Sequence, residues 1–173
     1  MQRVYSLLVD NNSGVLSRIS GLFTRRGYNI DSITAGVTAD SRFTRITIVS
    51  SGDEIILSQI EKQIAKLEDV IVVKVLKPEE SVYRELILVK IRANAQQRSE
   101  IVSIADIFRA KIVDAERESL VIELTGTQSK LEAFLQLLDG YEILELARTG
   151  IAGLSRGIKD VTVIDQEGNI NTL

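Results

Sequence analysis

The stretch "DNNSGVLSRISGLFTRRGYNID" (residues 10–31) decides the first half of the fold. It follows "VYSLLVD" (4–10), a short apolar run that reads as a strand. Val15, Ile19, Leu22 and Phe23 then recur at helical spacing, so a helix from about Gly14 to Arg26 buries one face. Asn12 is placed to cap its N-terminus, Arg25 and Arg26 complement the dipole at its C-terminus, and Gly27 supplies a left-handed stop. The entry is unusual. Glycine is a poor helix former, and in a first turn it leaves the backbone N–H groups bare.

Outward from this stretch come "NIDSITAGVTA" (29–39) and "RFTRITIVS" (42–50), two strands joined by a tight turn around Asp40–Ser41. A second helix is predicted over 53–68, with Leu57, Ile60, Ile64 and Leu67 on one stripe, and "VIVVKVL" (70–76) is a strand. The order is β-α-β-β-α-β. Pro78, the single proline, sits in the polar "KPEESV", which reads as a linker. The pattern then restarts. "RELILVKIRA" (84–93) is a strand, and 99–110 is a helix with Ile101, Ile104, Ala105 and Phe108 inward. "AKIVDAER" and "SLVIELTG" form a hairpin. "QSKLEAFLQLLDG" is a helix with Ser129 and Glu132 at capping-box spacing, and "EILELART" is a closing strand. The predicted fold class is α+β: two tandem ferredoxin-like βαββαβ sandwiches. The expected organisation is a first domain over 1–77, a linker over 78–83, a second domain over 84–157 and a polar tail over 158–173 with one short strand-like run.

Composition narrows the chemistry. The chain has 173 residues, 45% hydrophobic and 26% charged, which is ordinary for a globular protein. Its net charge of −3 gives no basic surface for nucleic acid, and Phe43 alone is too little aromatic surface to stack bases on a sheet. No apolar run approaches a membrane span, and the start lacks a signal-peptide core, so a cytoplasmic protein is expected. With no histidine and no cysteine, imidazole acid–base catalysis, thiolate nucleophiles and zinc sites built on those residues are excluded. "GLSRG" (153–157) matches a nucleophile-elbow pattern, but a hydrolase of that type needs a histidine. Glu79–Glu80 and Glu116–Glu118 lack complementary groups and read as solvated turns. No metal and no catalytic residue is expected in the chain. It reads as a binding or interaction protein.

The opening stretch offers a binding site. A helix N-terminus is a ready anion site, and Gly14 would let a carboxylate approach the N–H groups of Gly14, Val15 and Leu16. Asn11 has a carbonyl oxygen to accept from an ammonium group. A free α-amino acid satisfies both ends. Asn29 and Ile30 lie beyond the far end of the helix, roughly 20 Å away at 1.5 Å per residue. No small ligand spans that distance in one chain. The second strand is an expected sheet edge. If two copies pair these edges about a two-fold axis, Asn29 and Ile30 of one approach Gly14 of the other.

"LLVDNNSGVLSRISGLFTRRGYNIDSIT" resembles the ACT-domain signature of acetolactate synthase (acetohydroxyacid synthase) small subunits, and "SRFTRITI", "VYRELILVKI" and "ARTGIAGLSRG" are similar to later parts of the same family. The resemblance covers about residues 2–157. It implies a regulatory subunit without an active site or cofactor of its own, homodimeric through its ACT domains. The partner it implies is a large catalytic subunit carrying thiamine diphosphate, magnesium and FAD. The small subunit raises that partner's activity and confers feedback inhibition, typically by valine. Carried over by position, Asn11, Gly14, Val15 and Leu16 of one chain and Asn29 and Ile30 of the other line the effector site, with Leu16 and Ile30 as apolar walls. "GIAGLSRG" is expected to contact the catalytic partner. The alternative is a free-standing tandem amino-acid sensor acting on another protein.

Overall fold

The computed structural model describes residues 1–158, 161–165, 167 and 169–172. Two compact units are distinguished: residues 1–82 with the described residues from 153 onward, and residues 83–152. The first carries β1 (Gln2–Asp10), α1 (Val15–Arg26), β2 (Ser32–Val37), β3 (Phe43–Ser51), α2 (Glu54–Ile64) and β4 (Val70–Leu76). A 3₁₀ turn, Pro78–Glu80, occupies the predicted linker and runs straight into β5 (Ser81–Arg92). Then follow α3 (Ala95–Phe108), β6 (Lys111–Ala115), β7 (Ser119–Gly126), α4 (Gln128–Leu137) and β8 (Ile143–Arg148).

The two sheets have the same strand order, β2-β3-β1-β4 and β6-β7-β5-β8, and the pairings within both paths are antiparallel. Both also slip register between the central strand and its last neighbour, at Leu8/Val9 and at Lys90/Ile91. These are the tandem ferredoxin-like sandwiches that the sequence predicts. β2 is an edge strand in the first sheet. Tyr5, Leu7 and Val9 of β1 meet Ile19 and Phe23 of α1 and Leu57, Ile60 and Ile64 of α2 in one core. Ile87, Val89 and Ile91 meet Ile101, Ala105, Leu131, Phe134 and Leu138 in the other.

Helix ends show what periodicity misses. α3 starts at Ala95, four residues before the predicted 99, because Asn94 and Gln97 form a reciprocal capping box ahead of Ile101, where the apolar stripe begins. α4 is capped by Thr127, whose hydroxyl accepts from the Lys130 N–H, and not by Ser129. α2 stops at Ile64, and tight turns carry the chain to β4. The tail after Gly157 holds two strands, β10 (Thr162–Ile164) and β11 (Ile170–Thr172), paired as a hairpin. Arg42 Nη2 donates to the Asp165 carbonyl at 3.3 Å, which joins this hairpin to the start of β3 within the first unit. "GIAGLSRG" (150–157) contains a short strand, β9 (Ala152–Ser155), which pairs with β5.

Tyr5 gives a pH test of the first core. Its ring is fully buried and its hydroxyl donates to the Leu57 carbonyl at 2.8 Å. Burial pushes its pKa from 10 to about 12. Folding thus favours the neutral phenol. That stabilisation is complete below pH 10 and is lost as pH rises through about 12, with an upper bound of about 2–3 kcal/mol. Thermal melts across alkaline pH should show the loss in wild type and a flatter profile in Tyr5→Phe.

Candidate functional site

The mouth of α1 differs from the other helix entries. Asp53, Asn94 and Thr127 each cap their helix through a side chain. Gly14 is the N-cap of α1, at φ +86°, with no side-chain cap and no acidic residue in the first turn. Asn12 does not cap it, contrary to the sequence expectation. A left-handed N-cap costs little only for glycine. It leaves the first-turn N–H groups and the positive end of the helix dipole open to a ligand.

A cavity of about 250 Å³ opens at this point. Asn11, Gly14, Val15 and Leu16 line it, as the sequence expects. Val9 of β1 and Thr44 and Ile46 of β3 also line it, and these the sequence reading missed. Their signal is non-local: Thr44 lies opposite Val9, and Ile46 opposite Leu7, across the β1–β3 ladder. Val15 is buried, whereas Leu16 is 48% exposed and offers an apolar wall. A larger hollow of about 410 Å³ lies between the end of α4 and β8, with no helix N-terminus facing it.

Asn11 is already engaged. Its Nδ2 donates to the Ser41 carbonyl at 2.9 Å and its Oδ1 accepts from Thr44 Oγ1 at 3.1 Å, so it pins the β2–β3 turn beside the mouth. One lone pair of Oδ1 is left for an ammonium donor. Arg18 folds back along α1 and forks onto Asp69, Nε to Oδ2 at 2.5 Å and Nη2 to Oδ1 at 2.7 Å. This holds the Asp69 carboxyl below the usual carboxylate range.

Asn29 and Ile30 lie beyond the other end of α1, which Gly27 terminates at φ +67°. Asn29 is exposed and donates to the Asp31 carboxylate at 2.6 Å, and Ser50 Oγ donates to its carbonyl. Ile30 packs its side chain partly against the first core, leaving Leu16 as the more open apolar wall. Within one chain the six residues thus form two groups at opposite ends of α1. Among the described residues no group of three or more acidic side chains is arranged to hold a metal. No described helix is long and apolar enough to cross a membrane.

Two ferredoxin-like units, the first with an open helix mouth, place the chain among ACT-type proteins, and residues 5–72 match a family described as the AHAS small subunit-like ACT domain. Residues 84–157 match the family described as the small subunit of acetolactate synthase. The probable acetolactate synthase small subunit of Methanothermobacter thermautotrophicus is 48% identical over 155 residues, 89% of this chain and 92% of that one. The acetolactate synthase isozyme 3 small subunit of Salmonella typhimurium is 48% identical over 160 residues, 92% of this chain and 98% of its own. The crystal structure of the Thermotoga maritima acetolactate synthase small subunit superposes with a TM-score of 0.84 at 42% identity, covering 91% of this chain and 98% of that one. The chain belongs to the acetolactate synthase small-subunit family, a family of regulatory subunits.

Proposed function

We propose that the chain binds a branched-chain amino acid, valine, at the α1 mouth and transmits its presence to the large catalytic subunit of acetolactate synthase in the cytoplasm. The observation that carries this is the uncapped, left-handed Gly14 facing a cavity with apolar and polar walls. The ligand carboxylate takes the N–H groups of Gly14, Val15 and Leu16, its ammonium reaches Asn11 Oδ1, and its side chain lies on Leu16. Burial of such a side chain is worth about 1.5–3 kcal/mol. A second copy completes the site by pairing its β2 edge with this one, bringing its Asn29 and Ile30 to the mouth. The exposed Ile33 and Val37 on β2 favour that pairing. The site then occurs twice in a homodimer.

On this reading the chain carries no cofactor. Thiamine diphosphate, magnesium and FAD belong to the catalytic partner. Valine acts by binding one arrangement of the dimer better than another, and a coupling of about 1–3 kcal/mol gives graded inhibition.

The test is reconstitution. Added to its large subunit, the chain should raise acetolactate formation severalfold, and valine should then lower it again. Valine binding without association with, or activation of, the large subunit would point instead to a free-standing sensor of another partner.

A further inference from the structure

We propose that Arg18 is a carboxylate-binding residue of the α1 mouth and that Asp69 holds it in aim; this rests on the amino-acid site proposed above. Arg18 commits Nε and Nη2 to Asp69. Its third nitrogen, Nη1, makes no hydrogen bond among the described residues. Nη1 lies 3.1 Å from the point where a Cβ on Gly14 would stand. The missing side chain of Gly14 is therefore what leaves a passage between the bare helix N-terminus and this donor.

A guanidinium folded toward the N-terminal end of a helix opposes the dipole there, so helix stability alone does not favour it. A ligand carboxylate at that point reverses the sign, since it is attracted by both the dipole and the cation. Asp69 is itself fixed: its carbonyl accepts from the Asp10 N–H at 2.9 Å, one residue before Asn11. The fork thus ties the first turns of α1 to the turn before β4 and, through the Asp10 N–H, to the end of β1. The ligand it selects is a free amino acid with an ionised carboxylate rather than an amide.

Calorimetric titration of the full chain with L-valine, alone and assembled with the large subunit, tests this on four proteins. Arg18→Gln should weaken binding about tenfold or more, equivalent to about 1.4 kcal/mol. Arg18→Lys should recover part of the loss because it keeps the charge. Asp69→Asn should cost only a few-fold, since Arg18 loses its aim and not its charge. A purely structural ion pair predicts instead equal losses for Arg18→Gln and Asp69→Asn, with no rescue by lysine, and that result overturns the proposal. So does an Arg18→Gln protein that binds within twofold of wild type. If wild type takes up no valine in either form, the amino-acid site itself falls, and the role of Arg18 with it. Arg18 is 49% exposed in its side chain, so the variants should fold, and thermal melts check that they do.

Discussion

Gly14→Asp should abolish valine binding, weakening it by at least about 100-fold, while leaving the fold intact. Aspartate is among the best N-cap residues and among the few that visit left-handed backbone at modest cost. At position 14 its carboxylate would accept from the same first-turn N–H groups that the ligand needs. The Cβ contact that it introduces falls on the flexible end of Arg18, 3.1 Å away, which can move or pair with the new charge. The variant therefore carries a built-in occupant where the ligand's own carboxylate would sit. An incoming carboxylate would meet both a filled donor set and a like charge. Gly14→Ala separates the two effects: it adds backbone strain of about 1–2 kcal/mol but no occupant, so it should bind more weakly than wild type and better than Gly14→Asp. Calorimetry on the three proteins, with melting temperatures as the control for folding, decides the matter. An aspartate variant that binds valine like wild type would remove the helix mouth as the site.

The sequence carries the topology because each element bears its own periodic signal. Val70–Leu76 is read to the residue, and the stripe Val15, Ile19, Leu22 and Phe23 is the buried face of α1. Errors gather where a polar side chain, not an apolar period, sets the boundary. Asn94 starts α3 in a stretch with no apolar marker, and Thr127 takes the cap that spacing gives to Ser129. The candidate site divides in the same way. Gly14 and its neighbours are contiguous and legible, whereas Thr44 and Ile46 reach the cavity only through the β1–β3 register. Arg18 is the instructive omission. Its place in the chain suggests an exposed helix residue, and only the folded chain brings Asp69, 51 residues later, to turn it toward Gly14.

Arg148→Ala should be the most damaging single change at the edge of the second sheet, costing about 2–3 kcal/mol of stability. Glu85 stands in line with Ile87, Val89 and Ile91 on the buried face of β5 and is itself only 6% exposed. Its compensation is a fork from Arg148, Nε to Oε1 at 2.9 Å and Nη2 to Oε2 at 3.3 Å. Removing the arginine leaves a carboxylate in a core row with no counter-charge. The figure is set below the usual cost of breaking a fully buried pair because the Arg148 side chain is 37% exposed and water already reaches it. The converse change is milder. In Glu85→Leu the half-exposed guanidinium turns to solvent and an apolar side chain joins the core, for a cost of about 1 kcal/mol or less. The double variant Glu85→Leu/Arg148→Met should come close to wild type, because what destabilises is the unpaired buried charge and not the lost attraction. Urea unfolding of the four proteins gives the pattern. Near-equal losses in both single variants would mean that the pair stabilises by attraction. The adjoining Thr149 would register the same event: its N–H donates to the Leu86 carbonyl at 3.1 Å and its Oγ1 accepts from the Leu86 N–H at 3.1 Å. Those bonds lead the chain from β8 into "GIAGLSRG", so loosening Arg148 should also speed amide exchange at Leu86 and Thr149 ahead of global unfolding.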